Sequence, residues 1–331
     1  YHFFTRKILG YGCFTVTLIY DNQCQSPDRY SGILFSMVLQ PDKGRICVST
    51  QSFQFQDDQQ GQFKSCRNRL YCILDKNPAP MIEKLDKLED YKYYFQFTLN
   101  PYGEKLENNL PSVAKRIDIF KRLSDKIGRE KVIWRYDPIL TNEEFNVSFH
   151  KEAFARIADG LKDHTEKCML GFIDHYQHIR TAVGQFNIKP PAKEEIEEIA
   201  VSFRQTMDAY PTLQLDTCTS KVDLRHLNIP AGLCVDKELI ERITGYPILA
   251  KKDKNQRNIC NCIKSIDIGT YESCLNGCIY CYAIKGNYNS VEYNMKKHDK
   301  HSPLLIGNLS EDDVVKERDM KSLRNGQYSL F

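Results

Sequence analysis

The sequence predicts an α/β fold, built as a TIM-barrel-like or a partial (β/α) barrel. Two observations carry this prediction. From residue 77 onward, apolar runs of strand length alternate with segments of helical periodicity, and proline or glycine ends most of them. Strands separated by helices of this length pair in parallel, because each helix returns the chain to the same end of the sheet. An open doubly wound sheet would satisfy the same pattern.

Four segments have the composition of buried strands, with many aromatic and β-branched side chains. A proline ends each of the first two, since proline has no amide hydrogen to donate to a neighbouring strand. The segments are "YKYYFQFTLN" (residues 91–100), "KVIWRYDP" (131–138), "CMLGFID" (168–174) and "LQLDTC" (213–218).

Helices are predicted between these strands. Residues 111–128 carry apolar side chains on one helical face, with Pro111 at the start and Gly128 as the stop. The same spacing recurs from about His150, and again in "KEEIEEIAVSFRQTMDAY" (193–210). A short capped helix is predicted over "DKELIERITG" (236–245).

Both architectures bind ligands at the carboxyl ends of their strands, so the polar residues at those ends are candidate site residues. We expect Thr98 and Asn100 to contact a cofactor, and we take Arg135, Asp137 and Cys218 as candidate catalytic residues. Two structural interpretations stay open. Arg135 and Asp137 could form an ion pair that only supports the fold, and Cys218 could be a packed thiol.

The composition narrows the class of protein. The chain has 331 residues, of which 41% are hydrophobic and 27% charged, as in an ordinary soluble protein. A net charge of +3 gives no basic surface that would indicate nucleic acid binding. No apolar run is long enough to span a bilayer, so no membrane partner is expected. Clustered cysteines in a chain of this length favour a reducing, cytoplasmic location.

The first 76 residues differ from the rest of the chain. Residues 1–75 contain no Glu, Ala or Trp, but nine of the sixteen glutamines. One interpretation is a poorly ordered extension. Another is an out-of-frame translation, because a one-base shift can turn "RLYCILDK" into D-C-I-V-F-W-T-K directly before "NPAPM". We therefore predict two regions, 1–76 and an α/β barrel-like domain over 77–331. An out-of-frame origin would make five cysteines irrelevant as ligands: Cys13, Cys24, Cys47, Cys66 and Cys72.

Residues 260–281, "CNCIKSIDIGTYESCLNGCIYC", hold five of the thirteen cysteines. Zinc prefers two Cys-x2-Cys pairs, and the single-residue gap between Cys260 and Cys262 is an awkward fit. Three thiolates on a short loop suit a [4Fe–4S] cluster better, with Cys260 or Cys262 as a further ligand or with one iron left open. The remaining cysteines after residue 76, Cys168 and Cys234, are predicted to lie in the core.

Cys274-x3-Cys278-x2-Cys281, with Tyr280 before the last cysteine, resembles the cluster motif of radical S-adenosylmethionine enzymes. The resemblance implies that these three cysteines hold a [4Fe–4S] cluster whose open iron binds S-adenosylmethionine. "CIYCYA" is similar to the branch that contains spore photoproduct lyase and DNA-repair-photolyase-like proteins. Tyr280 and Tyr282 would then shield the cluster and contact adenine, although aromatic packing around any cofactor would look the same.

The motif lies near the C-terminus, whereas radical S-adenosylmethionine enzymes usually carry it early. This position resembles a bacterial family, domain of unknown function 1848. The similarity extends through "YYFQFTLNPYG", "VIWRYDPI", "CNCIKSIDIGTYESC" and "HSPLL", over residues 77–331. A circular permutation of the barrel would explain the position, because strands that normally follow the motif would precede it.

These observations predict a radical-SAM-type [4Fe–4S] enzyme of unknown substrate. It would need an electron donor such as ferredoxin or flavodoxin, and the nearest resemblance suggests nucleic acid as one possible substrate. Two alternatives stay open. The chain could be a non-catalytic iron–sulfur or zinc binding module, or an inactive product of a frameshifted gene.

Overall fold

The computed structural model describes most of the chain from residue 69 onward and three short segments before it. The described residues are 15–20, 35–40, 45–50, 69–89, 91–174, 176–218, 220–254, 256–267, 269–285, 288–298, 304, 306–311, 313–316 and 323–324. Most of the predicted N-terminal region therefore lies outside the described residues.

A seven-stranded sheet forms the centre of the fold, in the order β8-β7-β6-β5-β4-β1-β9. Strands β4 to β8 run parallel, and β1 and β9 are antiparallel additions at one edge. A small antiparallel sheet has the order β10-β2-β3. The strands are β1 Thr15–Tyr20, β2 Phe35–Gln40, β3 Arg45–Thr50, β4 Arg69–Asp75, β5 Lys92–Thr98, β6 Val132–Ile139, β7 Lys167–Phe172, β8 Gln214–Thr217, β9 Ile266–Asp267 and β10 Val314–Lys316.

The predicted α/β fold with a parallel sheet is confirmed, and all four predicted strands are present. The described strands do not close into a barrel, since this sheet ends at β8 and β9. One central strand, β4, was not predicted because its residues fall in the region set aside on composition. Its apolar sequence "RLYCILD" pairs in parallel with β5 over six residues.

The predicted helices are also present, and those that begin at Val113, Val147 and Lys237 each have a side-chain N-cap. Asn146 accepts a hydrogen bond from the amide of Phe149, so the helix begins three residues before His150. Gly128 and Gly245 end their helices with positive φ angles of 97° and 79°. The helices are α1 Ala79–Ile82, α2 Val113–Ile127, α3 Val147–Leu161, α4 Arg180–Gly184, α5 Lys193–Asp208, α6 Lys237–Thr244 and α7 Tyr288–Lys296.

Two hydrophobic layers cover the two faces of the parallel sheet. Helices α2, α3 and α5 pack on one face, where the rings of Phe154 and Phe203 stack 3.7 Å apart. Helix α6 and residues 248–263 cover the other face, against Tyr94, Ile133 and Met169. Because side chains alternate along a strand, each strand contributes to both layers. The carboxyl ends of the strands lie beyond these layers and open into a cavity.

Candidate functional site

A cavity of 870 Å³ lies at the carboxyl ends of the parallel strands. Its walls come from strand ends β4 to β8, from residues 256–265 and from the cysteine loop, which we define as residues 274–281. Of the site residues predicted from sequence, all but Asn100 line it: Thr98, Arg135, Asp137, Cys218, Cys260, Cys262, Cys274, Cys278, Tyr280, Cys281 and Tyr282. The fold thus brings together residues that are up to 184 positions apart in the sequence.

Arg135 and Asp137 form an ion pair at the end of β6. Arg135 also donates to the Gln96 side chain over 2.7 Å and to the Cys234 sulfur over 3.1 Å. Burial alone would lower the pKa of the guanidinium, but the neighbouring Cys234 and Asp137 raise it. Gly171 on β7 makes room for this pair, because a Cβ there would collide with the Asp137 carboxylate. The predicted ion pair is therefore present, and it faces the cavity.

Asn100 is fully buried behind the cavity wall. Its side-chain amide donates to the carbonyl of Asp137 over 2.8 Å and to the Tyr280 hydroxyl over 3.0 Å. Its oxygen accepts from the amide of Asp137 over 2.9 Å. Asn100 therefore connects the end of β6 to the cysteine loop.

Four residues form what we call the buried charge network: Lys76, Glu107, Arg116 and Tyr280. Glu107 and Arg116 have fully buried side chains and form an ion pair of 2.8 Å. Lys76 donates to Glu107 over 2.8 Å and to the Tyr280 hydroxyl over 2.6 Å, and that hydroxyl donates to Glu107. Burial would raise the pKa of the Glu107 carboxyl, but the Lys76 and Arg116 cations hold it below its usual value. The network carries two positive charges and one negative charge.

The excess positive charge lies next to the cysteine loop. Burial raises the pKa of the Cys278 thiol to about 12, and the Lys76 ammonium opposes that rise. In return, Cys278 and Glu107 raise the pKa of Lys76 against the effect of its own burial. Lys76 is thus a fixed cation beside a candidate metal ligand.

The cysteine loop is attached to residues 106–109 by backbone and side-chain hydrogen bonds. The amide of Ile279 donates to the carbonyl of Leu106 over 2.9 Å, and the amide of Asn109 donates to the carbonyl of Asn276 over 3.2 Å. The Asn109 side chain also donates to Leu275 over 2.7 Å. These contacts hold the loop against the turn that carries Glu107.

All three cysteines of the loop line the cavity. The Cys274 sulfur accepts the amide of Asn276 over 3.4 Å, and the amide of Cys281 closes a turn onto the carbonyl of Cys278 over 3.1 Å. Within the described ranges, no three His, Cys, Asp or Glu side chains form a group that could hold a metal ion. The thiols therefore share the cavity without forming a preformed metal site.

A second group of thiols lies near the end of β8. The sulfurs of Cys218 and Cys234 are 2.8 Å apart, and Cys262 accepts the amide of Val235 over 3.4 Å. Cys168 is fully buried in the core, as predicted. The core prediction for Cys234 is incomplete, since this residue is half-buried and lines the cavity. The reason is that Cys234 lies in a loop that crosses the strand ends, which the sequence pattern does not reveal.

The two tyrosines of the motif have different surroundings. Tyr280 is 6% exposed and packs edge-on against Tyr102 at 5.8 Å, within the buried charge network. Tyr282 is 49% exposed and stacks on Tyr176 at 5.4 Å, and its carbonyl contacts the His178 ring over 2.8 Å. Tyr280 therefore supports the loop, while Tyr282 offers an exposed aromatic surface.

Among the described residues of the cavity wall, two buried side-chain polar atoms have no hydrogen-bond partner. Asp75 uses one carboxylate oxygen to accept the amides of Lys76 and Asn77, but its Oδ2 is unpaired and buried. Burial raises the pKa of this carboxyl to about 7. The side-chain amide nitrogen of Asn276 is also buried without a partner. The Asn276 amide nitrogen therefore remains as a donor for a ligand, and Asp75 Oδ2 remains as an acceptor while the carboxyl is ionised.

The sequence pattern missed several of these residues. Arg116 gave the clearest signal, because it occupies the apolar stripe of α2 that Phe120 and Leu123 continue, where a charge needs a buried partner. Asp75 and Lys76 were missed because they lie in the region set aside on composition. Glu107 gave no signal, since an acidic residue in a polar turn is ordinary.

Comparisons with known proteins place the chain in one family. No helix in the described part of the chain is long and apolar enough to cross a membrane. A search of curated proteins found no match. The model of the family Domain of unknown function (DUF1848) matches residues 38–283, which is well over half of the 331 residues. The chain therefore belongs to the DUF1848 family.

Proposed function

We propose that this protein is a [4Fe–4S] enzyme of the radical-SAM type, with Cys274, Cys278 and Cys281 as the cluster ligands. One observation carries the proposal: the three thiols of the cysteine loop line the same cavity as the carboxyl ends of the parallel strands. Ligand sites of α/β folds lie at those strand ends. The candidate ligands and the candidate catalytic residues are therefore within reach of one bound molecule.

The donor set is chemically suited to such a cluster, because iron–sulfur clusters are held by cysteine thiolates. Bound with one iron open, the cluster would supply the electron that cleaves S-adenosylmethionine reductively. The thiols do not form a ready metal-binding group, so we expect the cysteine loop to adjust on binding. The hydrogen bonds that attach the loop to residues 106–109 keep that adjustment small.

The chain's own residues have three roles in this proposal. Lys76 offsets the negative charge of the thiolates, because its ammonium lies close enough to Cys278 to affect the pKa of the thiol. The Arg135–Asp137 ion pair presents a fixed positive and a fixed negative group to the substrate. The unpaired atoms of Asp75 and Asn276 are available to polar groups of S-adenosylmethionine. Together they orient ligands in the cavity.

The size of the cavity and the order of the strands support this function. A volume of 870 Å³ is near the upper end of the range of about 300–1,000 Å³ for small-molecule sites. The five parallel strands follow one another in sequence order, with α2, α3 and α5 on one face. That arrangement supports a partial (β/α) barrel, because a doubly wound sheet has crossover helices on both faces.

Anaerobic reconstitution with iron and sulfide tests the proposal. We expect a [4Fe–4S] electron paramagnetic resonance signal after reduction, a change in that signal when S-adenosylmethionine is added, and slow formation of 5′-deoxyadenosine. Cys274→Ala, Cys278→Ala and Cys281→Ala should each abolish the cluster. The matched control is Cys168→Ala, which removes a buried thiol outside the cavity and should keep it. The proposal would be contradicted if the electron paramagnetic resonance signal did not change on addition of S-adenosylmethionine and no 5′-deoxyadenosine formed.

A second candidate is a non-catalytic iron–sulfur or zinc binding module. The observation in its favour is that Cys260 and Cys262 line the cavity together with the cysteine loop. Either thiol could then occupy the fourth cluster position, and a closed cluster would only transfer electrons or support the fold. Metal analysis of the purified chain separates zinc from iron, and Cys260→Ala with Cys262→Ala separates an open from a closed cluster.

The enzymatic proposal also defines the partners. A low-potential donor such as ferredoxin or flavodoxin must supply the electron, and a reducing cytoplasm would keep the thiols available. The substrate class stays open. Nucleic acid is suggested only by the motif's resemblance to photolyase-like proteins, and the net charge of +3 does not favour it.

A further inference from the structure

The proposed cluster ligands leave a second reactive group unused. Cys218 and Cys234, which we call the thiol pair, have sulfurs only 2.8 Å apart. The Cys234 sulfur also accepts a hydrogen bond from Arg135 over 3.1 Å, and Cys262 is close enough to raise the pKa of the Cys234 thiol. Both members of the pair are half-buried and line the cavity. A small solute that enters the cavity can therefore reach them.

The backbone holds the thiol pair in place. Cys218 directly follows β8, and its amide donates to the carbonyl of Leu170 over 2.7 Å. The carbonyl of Cys234 accepts hydrogen bonds from the side chains of Tyr94, over 2.8 Å, and Gln96, over 2.5 Å. Two loops are thus fixed to the same strand ends, and their cysteines meet there. Neither loop has to move far for the sulfurs to bond.

We propose that Cys218 and Cys234 form a reversible disulfide by exchange with a small-molecule disulfide that enters the cavity. A disulfide bond is about 2.05 Å long, so the two sulfurs need to approach by less than one ångström. This dithiol site is separate from the cysteine loop and does not depend on a bound cluster.

The exchange balances in two steps. Cys218 and the Arg135 cation favour the Cys234 thiolate, but Cys262 and burial raise the pKa of this thiol to about 12, so only a small thiolate fraction reacts. That thiolate attacks one sulfur of the incoming disulfide RSSR. The S–S bond of RSSR breaks, and the departing RS⁻ takes up the proton that Cys234 lost. The Cys218 thiolate then attacks the Cys234 sulfur of the mixed disulfide, and the second RS⁻ leaves with the proton from Cys218. The protein pair loses two electrons and two protons, and RSSR becomes two RSH.

Redox titration of the full chain tests the proposal. The anaerobically purified protein is equilibrated with glutathione of increasing oxidised fraction, acid-quenched, alkylated and mapped by mass spectrometry. We expect a cross-linked peptide pair that joins Cys218 to Cys234 and that dithiothreitol removes. The proposal is overturned if both residues take separate glutathiones, if Cys234 pairs with Cys262 instead, or if both stay inert under fully oxidising conditions.

Variants separate a chemical role from a structural one. In Cys218→Ser, we expect Cys234 to retain one glutathione, because the thiol that resolves the mixed disulfide is missing. Cys168→Ser should behave like the wild type, since that thiol is buried outside the cavity. Circular dichroism checks folding; Cys218→Ala replaces Cys218→Ser if that variant does not fold, and Cys168→Ala likewise replaces Cys168→Ser. A folded variant whose Cys234 takes no glutathione would also overturn the proposal.

Discussion

At the scale of single residues, the hydroxyl of Tyr280 is the point where the cysteine loop meets the buried charges. This oxygen accepts hydrogen bonds from Lys76 and Asn100 and donates one to Glu107. Three polar partners that are distant in sequence thereby converge on one atom. The position of the loop depends on that convergence, because Tyr280 is only 6% exposed and water can hardly replace a lost partner.

Tyr280→Phe should lower the free energy of unfolding by about 1–3 kcal/mol, because it leaves buried donors and an acceptor without the hydroxyl. Urea denaturation followed by circular dichroism measures the change. The matched control is Tyr293→Phe, whose ring is 62% exposed and should cost less than about 0.5 kcal/mol. Equal effects of the two substitutions would mean that the network does not hold the loop.

His150 makes the stability depend on pH. Its ring is buried between the Tyr136 hydroxyl at 2.9 Å and the Leu140 carbonyl at 2.8 Å, and burial lowers its pKa to about 4. The unfolded chain, with a histidine pKa of about 6.5, binds this proton more readily. The stability that the neutral His150 ring contributes is therefore complete above pH 6.5. It is lost as the pH falls from 6.5 through 4, by up to about 3 kcal/mol.

The measurement compares unfolding free energies of the wild type and His150→Gln between pH 7 and pH 4. We expect the wild type to lose more stability over this range than the variant, because glutamine does not titrate. Parallel curves for the two proteins would show that His150 is not the group responsible.

At the scale of elements, the Glu107–Arg116 pair joins helix α2 to the turn that supports the cysteine loop. Arg116 also donates to the carbonyls of Pro111, over 3.1 Å, and Asn100, over 2.9 Å. The helix is thereby connected to the end of β5. A fully desolvated pair of this kind is costly to break, because the remaining charge stays buried.

Arg116→Met should therefore destabilise the protein by about 3–5 kcal/mol. Arg122→Met is the matched control on the same helix, because Arg122 pairs with Glu83 at the surface and such pairs are worth about 0–1 kcal/mol. Thermal or chemical denaturation of both variants provides the comparison. A loss at Arg116 no larger than that at Arg122 would contradict the role assigned to the buried pair.

Strand β7 offers a second test at this scale. Gly171→Ala would place a Cβ against the Asp137 carboxylate on β6 and displace the Arg135–Asp137 pair, at a cost of about 1–3 kcal/mol. Gly184→Ala is the control, since nothing lies within 4 Å of its added Cβ. We expect denaturation to show a loss only for Gly171→Ala. Unchanged stability and an unchanged pair in that variant would mean that the strand ends tolerate the added volume.

At the scale of the whole molecule, the two-region prediction remains open. The family match starts at residue 38, within the region assigned to 1–76. Described residues 69–75 form the central strand β4, and Asp75 and Lys76 line the cavity. The shifted frame keeps lysine at position 76 but changes position 75 to threonine. The family match and the frame hypothesis therefore both cover residues 75 and 76, which line the cavity.

Sequencing the gene tests that hypothesis directly. We expect a one-base slip before codon 77, because the composition changes abruptly there. The repaired chain should have a larger free energy of unfolding than the printed one. The reason is that its first segments would have the patterning of helices and strands. A single intact frame through codon 76 with no slip would end the idea.

Much of the architecture follows from the sequence alone. The four strands after residue 90 and the helices between them were predictable, because apolar periodicity and proline or glycine stops act over a few residues. The rule that ligands bind at the carboxyl ends of parallel strands also predicted, from sequence alone, that Thr98, Arg135 and Asp137 share one site. All three motif cysteines line the same cavity.

The remaining features were decided only by the tertiary structure. Strand order, the open sheet and the inclusion of β4 depend on pairing between distant segments, which local pattern does not encode. The same holds for the contacts of Lys76 with Glu107 and Tyr280, and for the meeting of Cys218 with Cys234. Each of these contacts joins two segments that are far apart in the sequence. Local sequence patterns do not predict such contacts, because burial and charge compensation arise only once the chain is folded.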